Sequence, residues 1–423
     1  MHHPDVVIIM TDEERNAPPY EGADLKAWRE EALPARHWFQ QNGVSFERHY
    51  TGSLACVPSR PTLFTGQYPD LHGVTQTDGL GKDAYDSRMR WLQPGEVPTI
   101  GHWFKSAGYD THYDGKWHMS HADLINPKSG LPIPTNTENG EVIEENVKTY
   151  LEANPLEEFG FSGWVGPEPH GAPLANSGFI RDKLIAKRIV AWLEDRYSRR
   201  KSGEEKAMRP FLLVASFVNP HDIVLFPGWR RQENNPIEKS NLDPPLVPEP
   251  PTRHEDLSSK PASQIAYKNA YFSGYGPYRR VKNIYERNEQ AYRDLYYRLH
   301  LEVDGPIDSV RKTITENDSN EAIIFRTSDH GDLLGAHGGL HQKWFTLYDE
   351  ATRVPFQIVK TGNQPTSSKI ISNIPTSHID LIPTALGLAG LNQEDLSEKL
   401  SPSFTEMHPL PGWDLSPLLE NHN

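Results

Sequence analysis

Val6-Val7-Ile8-Ile9-Met10-Thr11-Asp12-Glu13-Glu14 is the stretch that decides the fold. Five apolar residues run without alternation, and four of them are β-branched. A strand of that kind is covered on both faces, as in a parallel sheet packed between helices. The run stops in a hydroxyl and three carboxylates. In open α/β sheets, ligands bind at the carboxyl ends of such strands.

The pattern recurs along the chain. A buried strand over residues 211–218 runs into Asn219-Pro220-His221-Asp222, and one over 322–327 into Ser328-Asp329-His330-Gly331. A strand over 109–113 precedes Lys116 and His118. Further strands are expected at 44–46 and 354–359. Helices are expected at 25–41, 58–64, 97–107, 178–199 and 378–388, and over 286–315 with a break at Gly305-Pro306. Alternating strands and helices predict an α/β fold with a large, mostly parallel central sheet flanked by helices. Residues 227–277, rich in Pro, Asn and charge, read as a surface excursion bordering a site. Residues 1–370 form the expected catalytic domain, and 371–423 its remainder with the start of a further subdomain.

Composition bounds the function. Of 423 residues, 36% are hydrophobic and 10% aromatic, enough for a sizeable core. A net charge of −14 argues against nucleic-acid and anionic-membrane partners. A few local cations still suffice to hold a small anionic substrate. No apolar run approaches the roughly 20 residues that cross a bilayer. The opening Met1-His2-His3-Pro4 leads into too short an apolar run for a signal peptide, so the chain reads as cytoplasmic.

Two groups of polar residues stand out at the strand ends. Asp12, Glu13, Asp329 and His330 suit a divalent cation: hard oxygen donors favour calcium or magnesium, and a histidine admits manganese or zinc. Lys116, His118, His221, Lys343 and Arg60 form a candidate anion cradle, in which Lys binds oxyanions and His transfers a proton. Each residue alone reads as loop polarity or a solvated charge. Several clusters on independently expected strand ends weigh against that. Residues 331–341, dense in Gly and His, suggest a loop packed against a ligand.

The chain has one cysteine, Cys56, in Cys56-Val57-Pro58-Ser59-Arg60. It can form neither an intramolecular disulfide nor a paired zinc site. It is a buried inert thiol, a nucleophilic thiolate, or a residue converted into something else. Placed just before a helix over 58–64, it meets N–H groups and a dipole that stabilise an anion. Arg60, four residues on, returns to the same face.

Taken together, these residues resemble the formylglycine-dependent sulfatases of the alkaline-phosphatase-like superfamily. Cys56-Val57-Pro58-Ser59-Arg60 is similar to their modification motif, and Thr65-Gly66 and His72-Gly73 continue it. Gly108-Tyr109 and Gly115-Lys116-Trp117-His118 are similar to their second signature. Asp12, His221, Asp329 and Lys343 follow in the expected order. The resemblance implies that a formylglycine-generating enzyme oxidises Cys56 to an aldehyde, which hydrates to a geminal diol. One hydroxyl attacks sulfur and displaces the alcohol; the other loses a proton as the adduct collapses and expels sulfate. It further implies that Asp12, Glu13, Asp329 and His330 bind the metal, calcium first. Asp329 helps deprotonate the attacking hydroxyl, and Arg60 and His118 hold the diol. Lys116, Lys343 and His221 bind the sulfate oxygens, and His221 protonates the leaving alcohol.

Departures accompany the likeness. His330 is more similar to the phosphonate monoester hydrolase branch. Glu13 replaces a usual Asp or Gln, and Asp78 stands as a substrate contact where an amide is common. Asp114 is acidic near Lys116, without an assigned role. The resemblance leads one to expect a small C-terminal antiparallel subdomain after Gly412-Trp413-Asp414, of which this sequence is expected to hold only the start, through truncation or a short natural form. The expected activity is hydrolysis of a small-molecule or carbohydrate sulfate monoester. The alternatives are phosphonate monoester or phosphodiester hydrolysis, and anion binding without turnover if Cys56 stays unmodified. Pocket walls are expected from 72–91 and 227–277. Trp91, Trp117, Trp164 and Trp344 read as core before they read as the lining of an apolar pocket, and Arg287, Arg293 and Arg298 as a solvated helix face before a polysaccharide-binding stripe.

Overall fold

Every residue of the first strand is buried, and its odd and even positions pack into different layers. The computed structural model describes residues 3–79, 83–169, 173–230, 243–271, 278–317, 321–362 and 369–420. The strands are β1 (Asp5–Asp12), β2 (Val44–Phe46), β3 (His49–Tyr50), β4 (Asp110–Gly115), β5 (Phe211–Pro220), β6 (Ala322–Ser328), β7 (Phe356–Lys360), β8 (Ile370–Ser372) and β9 (Thr376–Ser377). Seven of them form one sheet in the order β4-β5-β1-β6-β7-β2-β8, and β3 pairs with β9. The first four are mutually parallel; β7 runs antiparallel to both its neighbours, and β8 is parallel to β2.

Val6, Ile8 and Met10 face one layer. There they meet Val57, Leu63 and Phe64 of the helix Cys56–Thr65, with Leu381 and Ile382 of the helix Leu381–Leu388. Val7 and Ile9 face the other. They pack with Ile185 and Ile189 of the helix Gly178–Lys201, and Val303 and Ile307 of the helix Glu289–Glu316. Two apolar faces explain the unalternated run. Each such side chain contributes about 1.5–3 kcal/mol when fully buried.

Some boundaries differ from expectation. The segment expected as one helix over 25–41 is two, Ala23–Ala32 and Pro34–Asn42, with Pro34 at the start of the second. The helix expected over 97–107 starts later, at Ile100, where Thr99 and His102 form a capping box. The break expected at Gly305-Pro306 is absent: the helix Glu289–Glu316 runs through Pro306. Proline removes one intrahelical bond there. Buried Val303, Ile307 and Val310 on either side hold the helix to the sheet regardless.

Arg293 is not solvated. It is buried and donates to the Val247 carbonyl and, at 2.8 Å, to Gln290. Arg298 lies 3.8 Å from Asp243, and Arg287 is exposed. Trp91, Trp117 and Trp164 are core residues. Of the excursion at 227–277, residues 231–242 and 272–277 lie outside the described residues. Among the described residues, no helix is long and apolar enough to cross a membrane.

Candidate active site

Four adjacent strands deliver their polar ends to one edge. Lys116 and His118 follow β4, His221 follows β5, Asp12 and Glu13 close β1, and Asp329 and His330 follow β6. All are buried. The turn after β4 needs its glycine: Gly115 has φ +108°, and a Cβ there would lie 1.8 Å from the Ser216 carbonyl oxygen.

Asp12, Cys56, Asp329 and His330 place one ligand atom each within 4.8 Å of one another, and Asp12, Glu13 and His221 do the same. Asp329 Oδ1 accepts from the backbone N–H of Glu13 (3.0 Å) and of His330 (2.9 Å). Tyr296 donates to the Glu13 carbonyl at 2.6 Å and fixes that turn, where Glu13 has φ +67°. Glu13 Oε2 pairs with Lys343 Nζ at 2.7 Å, whereas its Oε1 is buried with no hydrogen-bond partner among the described residues. Burial, with Asp332 nearby, holds the Glu13 carboxyl well above its ordinary range. Burial and Asp12 likewise raise that of Asp329. Three crowded carboxylates and an orphaned buried oxygen fit a divalent cation. Burial disfavours a proton on His330, but Asp329 and Cys56 favour it and push the imidazolium up to about 10. That proton supplies positive charge of the kind a cation would bring.

Cys56 is the first residue of its helix rather than the residue before it, with Ala55 as the cap. Its sulfur lies 3.0 Å from His330 Nε2 and 3.7 Å from Asp12 Oδ1, and it hydrogen-bonds His118 and His221. Burial and Asp12 work against a thiolate. Lys343, Lys116 and His330 outweigh them and hold the thiol well below its ordinary range.

Arg60 is fully buried and braces the site. It donates to Asp329 and Asp12 at 2.9 Å each and to the Lys116 carbonyl at 2.6 Å. Lys116 Nζ lies 2.7 Å from Asp12 Oδ2, an ion pair off the hydrogen-bonding direction. Burial, Lys116 and Lys343 push His221 down to about 3, so it is neutral in the anion-free site. His118 differs. Burial opposes its charge, but Asp78 at 2.9 Å prevails and pushes it up to about 9.

Several supporting residues carried no sequence signal. Glu168 accepts from the backbone N–H of Trp117 and His118, holding the turn in which His118 has φ +50°. Ser59 and His378 anchor the carbonyls of Asp329 and Ser328. Glu14 turns away from the cluster, to Arg36 and Arg326. Asp114 also turns away: its two oxygens take Arg188 at 2.7 and 2.8 Å.

Beside the cluster lies a cavity of about 1310 Å³. Residues 75–78 and 257–271 line it, in keeping with the expected walls, and Leu340 belongs to the stretch 331–341 expected against a ligand; residues 51–55 and 345–348 were not anticipated. Trp344 lines it too, whereas Trp91, Trp117 and Trp164 do not; Trp91 packs instead against the His118 ring, 5.9 Å between centroids.

Comparison with known proteins gives a consistent picture. A family model described as Sulfatase matches residues 4–391. The Uncharacterized sulfatase YidJ of Escherichia coli (strain K12) is 26% identical over 411 residues, covering 94% of this chain and 70% of that protein. The solved structure of a 2-O GAG sulfatase matches with a TM-score of 0.62 at 21% identity, over 99% of this chain and 74% of that one. The phosphonate monoester hydrolase SpPMH from Silicibacter pomeroyi matches with a TM-score of 0.57 at 19% identity, over 99% and 77%. The sulfatase structures are of alkaline-phosphatase-like fold.

Proposed function

Because this chain belongs to the sulfatase family, whose members are sulfuric ester hydrolases, we propose that it cleaves sulfate monoesters with a formylglycine made from Cys56. The substrate is a small-molecule or carbohydrate ester, and the products are an alcohol or phenol and inorganic sulfate. The supporting observation is that Cys56 stands where the ends of β4, β5, β1 and β6 converge, within 3.0 Å of His330.

Asp12, Glu13, Asp329 and His330 would hold a divalent metal, calcium first. When bound, it supplies Lewis acidity toward the nucleophile and a sulfate oxygen. The hydrated aldehyde supplies a nucleophile that can expel sulfate without water attacking sulfur. The chain's own residues do the rest. Lys116 and Lys343 bind sulfate oxygens. Asp329 takes the proton from the attacking hydroxyl. Arg60 keeps Asp12 and Asp329 in register, and His118 orients the nucleophile. His221 protonates the leaving oxygen. Its depressed basicity makes its conjugate acid a strong donor, and an anion beside Lys116 and Lys343 offsets the charge that now disfavours that proton.

A second reading, phosphonate monoester or phosphodiester hydrolysis at the same nucleophile, is favoured by His330 against the Cys56 sulfur. Purified, matured protein assayed on phenyl sulfate and a phenyl phosphonate monoester separates the two. The sulfatase reading requires the larger kcat/KM on the sulfate.

A further inference from the structure

The alcohol side of the site has a character of its own. The inner end of the 1310 Å³ cavity is formed by Ala55 and Asp78, the neighbour of Cys56 and the partner of His118. Two segments make its outer walls. Tyr267 and Tyr271 come from one, and Trp344, Phe345, Leu347 and Tyr348 from the other. They touch: Tyr267 donates to the Trp344 carbonyl at 2.6 Å, and its ring centroid is 6.2 Å from that of Phe345. Tyr348 donates to Gln264 from the first segment.

Charge is scarce here. Among the described lining residues, Asp78 is the one ionisable carboxylate and none is Lys or Arg. Asp78 is already paired with His118. Lys260 is not among the lining residues; it lies 5.1 Å from the Tyr348 ring and pairs with Glu255. A carboxylate or second sulfate on the alcohol would find no Lys or Arg among the described lining residues, and desolvating an unpaired charge costs several kcal/mol. Apolar surface is plentiful. Phe345 and Leu347 are each 89% exposed, in the loop that begins after Lys343.

We infer that the alcohol half of the substrate is an uncharged, apolar group of more than one ring, gripped between Tyr267 and Tyr271 on one side and the 344–348 loop on the other. This rests on the sulfatase reading above. Pockets for drug-sized ligands measure roughly 300–1,000 Å³, so a single ring leaves most of this one unfilled. Binding the larger group covers Phe345 and Leu347. Because that loop continues directly from Lys343, the energy of its contacts is available where the sulfate is held.

The test compares phenyl sulfate with 2-naphthyl sulfate, whose leaving groups are of similar acidity, and with a sulfated disaccharide bearing a carboxylate. The matured full chain and the double variant Phe345→Ala/Leu347→Ala are assayed. The naphthyl ester is expected to exceed the phenyl ester in kcat/KM by about tenfold or more, and the variant to lose that ratio. The charged disaccharide is expected to be the poorest of the three. A preference for the disaccharide, or an equal loss on both aryl esters, overturns the inference. Calorimetric binding of 2-naphthol and phenol reads the cavity without turnover. Tighter naphthol binding that the variant weakens supports the inference, and equal binding overturns it. Naphthol selectivity in a protein that cleaves no sulfate ester would sink the sulfatase reading and leave the cavity assignment standing.

Discussion

His118 Nε2 and Asp78 Oδ1 are 2.9 Å apart, a buried ion pair at the boundary between the reacting centre and the alcohol cavity. The pair joins a residue of the second signature to a position whose acidity the sequence left without a partner. It keeps His118 protonated to about pH 9 beside Cys56.

That pairing sets a pH dependence. With Asp78 present, His118 stays cationic until pH rises through about 9. In Asp78→Asn the charge partner is gone, and burial, which disfavours the imidazolium, prevails. The alkaline limb of kcat/KM is expected to move to lower pH. An unmoved limb would show that His118 ionisation does not govern the rate.

Cys56 variants separate the nucleophile's two hydroxyls. Cys56→Ser offers one hydroxyl and no second one to expel sulfate. It is expected to release about one equivalent of alcohol per active site and then stall with sulfate attached. Cys56→Ala is expected to give no burst. Steady turnover by Cys56→Ser would contradict the role of a second hydroxyl.

Leaving-group dependence tests His221. If it protonates the departing oxygen, His221→Ala costs more on an alkyl sulfate than on nitrophenyl sulfate, whose leaving group needs no proton. Lys343→Ala, which removes a sulfate-binding cation, should lower both by about 10²–10³-fold. Equal losses in the His221 variant would move the proton donor elsewhere, with His118 the next to test.

Metal binding is expected to release a proton. In the unmatured protein, where burial opposes the charge but Asp329 and Cys56 hold the proton on His330 up to about 10, that proton must leave before the ring can ligate. The sign follows: affinity rises with pH, about tenfold per unit per proton displaced, up to that pKa. Calcium titrations at several pH values, in buffers of different ionisation heat, read this directly. Chelation should abolish turnover and lower the Tm, because an ion that binds the folded chain and not the unfolded one stabilises it by mass action. A pH-independent affinity would remove His330 from the ligand set.

Asp114 makes a structural prediction. It is buried, and Arg188 is its partner from the helix Gly178–Lys201. Removing one member of a buried pair costs up to 3–5 kcal/mol, less where the partner reaches water. The Arg188 side chain is 21% exposed, so Asp114→Asn should cost about 1–3 kcal/mol in urea unfolding. A fall in kcat at full occupancy of the folded state would instead tie Asp114 to Lys116.

These tests divide along what the sequence made legible. Asp12, His221 and Asp329 were readable because each follows an apolar run, and a parallel sheet brings all such ends to one edge. Helix continuity at Pro306 was not readable, because the packing of Val303, Ile307 and Val310 overrides a local breaker. The contact of Arg293 with the Val247 carbonyl and the pairing of Asp114 with Arg188 depend on residues distant in sequence, for which spacing has no signal. The 344–348 wall was hidden for another reason: Trp344 looks like core in one dimension, and nothing in the spacing marks its neighbour Phe345 as almost wholly exposed.

The most direct measurement is the mass of the Cys56-containing peptide from protein matured in its native host, taken alongside specific activity on phenyl sulfate. The account predicts the aldehyde form, with activity proportional to the fraction converted. A fully retained thiol in protein that turns over sulfate ester at full rate would contradict it.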